Sequence, residues 1–284
     1  MTNGEKFKKI RKQRKYSIVD LSKISGSRSS ISAFENNQNS LSTDTLFQLL
    51  TELMVTPEEF FDISNYSNNT LLFNKMSGVT NDFQNSDTNA LLKKSDDCEN
   101  EYKQTGKYLF HILSLNIRLI AAELDKSLLD PDSAQEMLDY FFSIDVWTNF
   151  DIGMWGNVVN HYSEKNICLI TKELIKELPQ NPKSGRDRII IDSITNGLNV
   201  LIERRDYDDA QNIISQLEVF NYPPHFMYQI TSLKLSRCYL NYNMGNVIEA
   251  YEEKEKLISA LSVIFSAEYV ESWIQSTANW VCPQ

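Results

Sequence analysis

Apolar positions recur at helical spacing along almost the whole chain, and no stretch shows the alternation and turn chemistry of a sheet. Near the N-terminus, GEKFKKIRKQRKY carries Phe7 and Ile10 as its apolar positions. Leu21 and Ile24 then place apolar groups on one face of a short helix begun by Ser17, a good N-cap. Gly26 breaks that helix, since glycine takes positive φ without steric cost. A second short helix starts at once, with Ser27 as N-cap and Ile31 and Phe34 as buried positions. Two short helices joined by a tight glycine turn are the helix-turn-helix layout. Ser42 opens a third amphipathic segment, whose Leu46, Leu49, Leu50 and Leu53 close a small core, and Pro57 takes the first position of a last short helix. This five-helix head ends near Ile63, giving a first domain over 1–63.

From Ser64 to Glu101 the composition shifts to Asn, Ser and Asp, with sparse apolar residues such as Leu71, Leu72, Phe73, Phe83, Leu91 and Leu92. This pattern predicts a linker over 64–101 with weak helical segments. From Tyr102 onward amphipathic helices follow one another, separated by Pro, Gly or Asn/Asp punctuation. LNVLIERRDYDDAQNIISQLE and CYLNYNMGNVIEAYEEKEKLIS share one layout, a helix, a small polar turn, and an alanine (Ala210, Ala250) entering the next helix. An alanine there lets the second helix pack closely on the first. Such a unit of about 34 residues is of the tetratricopeptide type. Residues 102–284 have room for roughly five units, and stacked units curve into a superhelix whose groove suits a peptide. An irregular helical bundle that only dimerises is the alternative. The predicted fold class is all-α, an N-terminal five-helix helix-turn-helix DNA-binding domain followed by a C-terminal TPR-like α-superhelical repeat domain.

Charge sharpens the division. Residues 1–34 hold nine Lys/Arg against Glu5 and Asp20, a balance of +7 in a chain of net charge −10. Residues 35–62 have no Lys or Arg and six Asp/Glu, and beyond 62 there are 19 basic and 30 acidic residues. An acidic body repels DNA, so only the head is suited to touch it. Off the Ile31/Phe34 face the second short helix carries Arg28, Ser29, Ser30 and Ser32, short or basic groups able to enter a major groove. With Arg11, Arg14, Lys15, Ser17 and Ser27 they make up the expected contacts to double-stranded operator DNA. A solvated face with ordinary serine caps is the competing reading. The basic run before the turn argues against it, because releasing counterions from phosphates is what such a cluster is suited for.

The remaining composition excludes several classes. Four cysteines, at 98, 168, 238 and 282, make no CxxC pair, so metal and redox sites are unsupported and free thiols in a reducing cytoplasm are expected. No apolar h-region follows the basic N-terminus, and no run of 18 apolar residues occurs, so neither a signal peptide nor a membrane span is expected. His111, His161 and His225 are scattered and no GxSxG, HExxH, Walker or GxGxxG pattern appears. No catalytic residue, metal or cofactor is expected.

Head and body together resemble the Rgg/GadR/MutR family of Gram-positive transcriptional regulators. In the head the likeness runs through Gly4, Ile10, Arg11, Arg14, Ser17, Leu21, Ile31-Ser32, Phe34-Glu35, Leu46, Leu49-Leu50 and Glu59-Phe60. In the body it runs through WTNFDIGMWGN from Trp147, Lys172-Glu173-Leu174, and Asn196 to Glu203. The resemblance implies a cytoplasmic homodimer of peptide-responsive, quorum-sensing type, whose repeat domain binds a short hydrophobic signalling peptide and whose heads then act on promoters. At the matching positions, Asn157 and Asn160 lie three apart on one helix face, as do Asn196 and Asn199. An asparagine amide both donates and accepts, which suits an extended peptide backbone. Phe150 and Trp155 are expected to add apolar pockets. Inter-helix hydrogen bonding is the alternative for these asparagines. Tyr269, Trp273 and Trp280 are the expected dimerisation residues. Two departures stand out. Ala33 replaces an arginine common in the family, and Thr43 stands where some members carry a cysteine able to link two heads. The functional alternatives are a helical-repeat interaction adaptor, and a regulator that responds to no peptide. Only a regulator needs a defined operator.

Overall fold

The structure, a computed structural model, describes residues 1–61, 75–277 and Trp280. The head boundary at Ile63, the apolar residues Leu71, Leu72 and Phe73, and Cys282 lie outside the described residues. Contacts divide the chain into two units, residues 1–77 and 78–284. Every regular element among the described residues is helical.

The first unit contains α1 (Asn3–Gln13), α2 (Ile18–Ser22), α3 (Arg28–Glu35), α4 (Thr43–Glu52) and α5 (Pro57–Phe61). Each of the first four begins at a hydroxyl N-cap, Thr2, Ser17, Ser27 and Ser42, whose side chain accepts a backbone N–H of the first turn. Phe7, Leu21, Ile31, Phe34, Leu46, Leu49, Leu50, Leu53 and Phe60 form one core. Ile24 departs from expectation and is 48% exposed. The reason is local: α2 stops at Ser22, and Ile24 and Ser25 both bond back to the Leu21 carbonyl, so Ile24 sits on the turn instead of the helix face. Gly26 follows in the left-handed region at φ +76°.

The second unit contains α6 (Val79–Gln84), α7 (Thr88–Thr105), α8 (Tyr108–Leu124), α9 (Pro131–Phe142), α10 (Asn149–Val158), α11 (Glu164–Lys176), α12 (Gly185–Glu203), α13 (Tyr207–Glu218), α14 (Met227–Asn243), α15 (Val247–Ile264) and α16 (Ala267–Ser276). The expected linker over 64–101 is corrected here for its second half. The 18-residue α7 packs along α8, burying Leu91, Ser95 and Cys98. Its apolar stripe is narrow because Ser95 fills the seam with hydrogen bonds to the Ser114 carbonyl and hydroxyl instead of with hydrocarbon.

From α8 to α15, α8 packs with α9, α12 with α13 and α14 with α15, and α8, α10, α12 and α14 pack side by side. Bonds between successive units join residues at a nearly constant separation. Asn116 and Asn157 are 41 apart, Ser193 and Ile152 are 41, Asn196 and Gly156 are 40, and Ser236 and Asn199 are 37. That repetition of one contact per unit is the signature of a helical-repeat stack. Ala210 and Ala250 are fully buried at the close approach within their pairs. Cys98, Cys168 and Cys238 are buried and none is in a disulfide.

Candidate nucleic-acid interface and repeat-unit ladder

In the head, α3 leaves Arg28 and Ser29 exposed and Ser32 half-buried, with Ile31 and Phe34 turned to the core. Ser27 and Ser30 are committed to each other: each backbone N–H donates to the other's hydroxyl, at 3.0 and 2.9 Å. Ser17 is likewise held in a capping box with Asp20. Those hydroxyl bonds hold the Asp20 carboxyl below its usual range. Among the described residues Arg28 has no ion-pair or hydrogen-bond partner, so it projects from the first turn of α3 as an unengaged cation. Arg14, the C-cap of α1, and Lys15 are exposed beside the turn into α2, with Lys15 at φ 61°.

Arg11 is not where the charge pattern placed it. It is buried, donating from Nε and Nη2 to the two carboxylate oxygens of Glu35 at 2.5 and 2.8 Å. Nη1 donates to the Tyr16 carbonyl at 2.7 Å. The Glu35 hydrogen bonds hold the guanidinium above its ordinary pKa, outweighing the opposing effect of burial. All three nitrogens are engaged inside the protein, so Arg11 braces α1 against the end of α3 and is removed from the DNA-contacting set. Gly4 serves the same approach, since a Cβ there would lie 2.0 Å from the Phe34 carbonyl oxygen.

In the second unit, α10 carries Phe150, Gly153 and Asn157 along one face, while Asn160, expected on the same helix, lies in the 3-10 turn Val159–His161 just beyond it; both asparagines are exposed and Phe150 is half-buried. Alongside, α12 carries Asp192, Asn196, Asn199 and Glu203 at the i, i+4, i+7 and i+11 spacing of a single helix face. The asparagines are not idle. Asn157 donates to Asn116 Oδ1 at 3.5 Å, Asn160 to Glu123 at 3.3 Å, and Asn196 to the Gly156 carbonyl at 3.1 Å. Asn199 Oδ1 accepts from Ser236 at 2.7 Å. Each amide thus spends part of its capacity tying neighbouring helices together and keeps the rest on a face open to solvent.

Trp155 does not line that face. It is 0% exposed, stacked on Tyr162 with centroids 5.2 Å apart and edge-on to Phe141. Together with Trp147 stacked on Phe141, it forms the aromatic core beneath α10. Gly156 permits this packing, because a Cβ there would come within 2.7 Å of Ser193 Oγ. The C-terminal aromatics are also spent within the chain. Trp273 is buried against Tyr228 and Tyr269, Tyr269 is half-buried against Phe265, and Trp280 stacks on Tyr239 with centroids 4.9 Å apart. Trp273 is therefore buried at the end of the repeat stack, while Tyr269 and Trp280 keep half-buried surface. Nearby, Ile248, Val263 and Ile264 are exposed instead.

Several participants escaped the sequence reading. Asn116 is fully buried and donates to the Met154 carbonyl at 2.9 Å. Glu123 lies 2.9 Å from the His161 ring, and Arg204 donates to the Asn160 and Tyr162 carbonyls. Asp192 pairs with Gln229 of α14. The signal for Asp192 was present, a polar stripe continuing Asn196 and Asn199 backward by one turn. For Asn116 there was none, because it sits within a strongly apolar helix.

With this geometry in hand, residues 89–272 match the family described as HTH-type transcriptional regulator Rgg, C-terminal domain, and residues 7–60 match the helix-turn-helix family. The chain belongs to the Rgg family of transcriptional regulators. The family is a non-enzymatic class. Among solved structures, this Rgg chain is similar to the Streptococcus dysgalactiae SHP pheromone receptor Rgg2 (20% identity, TM-score 0.73, covering 98% of this chain and 100% of that one). It is also similar to a bacterial peptide pheromone/receptor complex (17% identity, TM-score 0.70, 97% of each chain). A third likeness is to a transcriptional regulator from Listeria monocytogenes EGD-e (16% identity, TM-score 0.73, 98% of this chain and 96% of that one). At these identities the likeness establishes the all-helical fold over nearly the whole chain. Among the described residues no helix is long and apolar enough to cross a membrane.

Proposed function

We propose that this Rgg chain is a cytoplasmic, homodimeric regulator whose repeat unit binds a short hydrophobic signalling peptide and thereby changes how its two heads engage a promoter. The observation that carries the reading is the ladder face. Asn157, Asn196 and Asn199 stand on two adjacent inner helices and Asn160 on the turn that follows the first, all partly exposed and each with amide capacity left over. Such a row satisfies the backbone of an extended chain whatever its side chains are, and half-buried Phe150 at its edge offers apolar contact. The fold shared with a pheromone receptor and with a pheromone/receptor complex supports the same reading. In the head, Arg28, Ser29 and Ser32 enter the major groove from α3, while Arg14 and Lys15 meet phosphates.

A peptide changes the DNA-bound state only through different affinities for two arrangements of the stack, a coupling of typically ~1–3 kcal/mol. The test separates the two surfaces. Isothermal titration with synthetic peptides encoded beside the gene, and anisotropy with the operator duplex, are run on Arg28→Ala and Asn199→Ala. Arg28→Ala weakens operator binding by about 1–3 kcal/mol and leaves peptide affinity unchanged. Asn199→Ala does the reverse. If no such peptide binds the unmodified chain, or if both variants lose both activities together, the reading is wrong.

A further inference from the structure

One polar group near the ladder face is left short of a partner. Gln229 on α14 is 6% exposed, and its Nε2 donates to both oxygens of Asp192 on α12, at 3.0 and 3.2 Å. Its Oε1 is buried and has no donor among the described residues. Asp192 itself is half-buried and receives no ion pair among the described residues. Burial pushes its carboxyl above the usual carboxylate range, and neither the Gln229 hydrogen bond nor the charge of Arg188, one turn earlier on α12, restores it. The other neighbour bearing on it, Tyr228, is a phenol that stays neutral, its ionisation pushed up by burial and by the charge of Asp192. A carboxylate and a buried amide oxygen side by side ask for the same thing, a group with several N–H donors and a positive charge.

We infer that Asp192 and Gln229 form a cation-accepting subsite at the edge of the ladder, specifying a peptide that carries an ammonium or guanidinium among its apolar residues. This rests on the peptide-receptor reading and deepens it. Asp192 continues the stripe of Asn196 and Asn199 on the same helix face, so a backbone held by those amides brings a neighbouring side chain or its free amino terminus to Asp192. A lysine ammonium offers three donors and a guanidinium five, enough to meet the half-buried Asp192 carboxylate that Gln229 holds in place. The body's excess of acidic residues favours approach of such a ligand over an anionic one.

The experiment uses the full chain and acetylated, amidated octapeptides of Ile, Val and Leu, in which one lysine is moved through every position. Each is matched by a norleucine peptide, with one free-amine version added. Titration calorimetry reads the affinity ratio of each pair. One register, or the free-amine peptide, binds at least tenfold more tightly than its neutral match. In Asp192→Asn that ratio falls to about one, while the thermal midpoint of the variant reports that it is folded. Equal affinity of lysine and norleucine peptides at every position overturns the subsite and leaves the peptide-receptor reading standing. A lysine preference that survives Asp192→Asn also overturns it. Absence of binding by every peptide, neutral ones included, counts against the receptor reading and takes the subsite with it.

Discussion

Removing one partner of the Arg11–Glu35 pair leaves the other charge in a small core with nothing to face it. A buried pair broken in this way costs about 3–5 kcal/mol, whereas apolar replacement of both partners is often close to neutral. Arg11→Ala therefore destabilises the head by that amount in urea denaturation, and the double variant Arg11→Met/Glu35→Leu recovers most of the loss. If Arg11→Ala left the head as stable as before and only weakened DNA binding, the residue would be a DNA contact after all. Charge alone could not separate Arg11 from the other cations of the run Lys6 to Lys15. Helical register could, because Gly4, Phe7 and Arg11 fall at i, i+3 and i+7 and all three are buried. Trp155 teaches the same lesson for aromatics. It follows Asp151 and Ile152, also buried, and shares their inward face, while Phe150 shares the outward one with Asn157.

Helix approach is set by glycine at two places with opposite expected outcomes. Gly4→Ala puts a methyl 2.0 Å from the Phe34 carbonyl, so α1 must move off α3. Overpacking of this kind costs about 1–3 kcal/mol, more than alanine's helix propensity of about 1 kcal/mol returns. At Gly153 a Cβ meets nothing within 4 Å, so Gly153→Ala stabilises the second unit by up to ~1 kcal/mol. Thermal midpoints of the two variants move in opposite directions. A second element-scale device is His111 on α8, 2.7 Å from Glu99 of α7 and 3.1 Å from Glu136 of α9. Burial disfavours the imidazolium, but the bonds to Glu99 and Glu136 outweigh it and raise the His111 pKa above 6.5. A raised folded-state pKa contributes stability that is fully present below the unfolded value and lost as pH rises through the folded one. The second unit is thus expected to melt at lower temperature as pH increases from about 6 to 8, and His111→Gln flattens that dependence. An unchanged slope in His111→Gln would show that the clamp carries no linkage. The repeat layout itself was legible, since Ala210 and Ala250 mark the two close-packed pairs. The seam of α7 on α8 was not, because Ser95 and Ser114 meet through hydrogen bonds that a hydrophobic pattern does not register.

Over the whole molecule, the charge asymmetry limits how steeply DNA binding responds to salt. The first 34 residues have a balance of +7, and the structure engages four of their nine cations within the head. Arg11 is buried on Glu35, Lys6 donates to the Glu59 carbonyl, Lys8 to Asn36, and Lys23 lies 3.8 Å from Asp20. Lys9, Lys12, Arg14, Lys15 and Arg28 remain as the head's cations without such an engagement among the described residues. Each phosphate neutralised contributes about −0.9 to the slope of log K against log salt, so five give about −4.5 per head and about −9 for a pair on two half-sites. Acidic residues of the body add repulsion but no counterion release from DNA. Anisotropy titrations of the operator duplex across a salt series measure the slope directly. In Arg28→Ala the slope of the dimer becomes shallower by about 2, one unit per head, if Arg28 meets a phosphate, and stays unchanged if it meets only a base edge. A wild-type slope much steeper than about −14, more than the eight cations of each head other than Arg11 can give, would require cations from the body on the DNA, and the separation of a DNA-gripping head from a peptide-sensing stack would have to be abandoned.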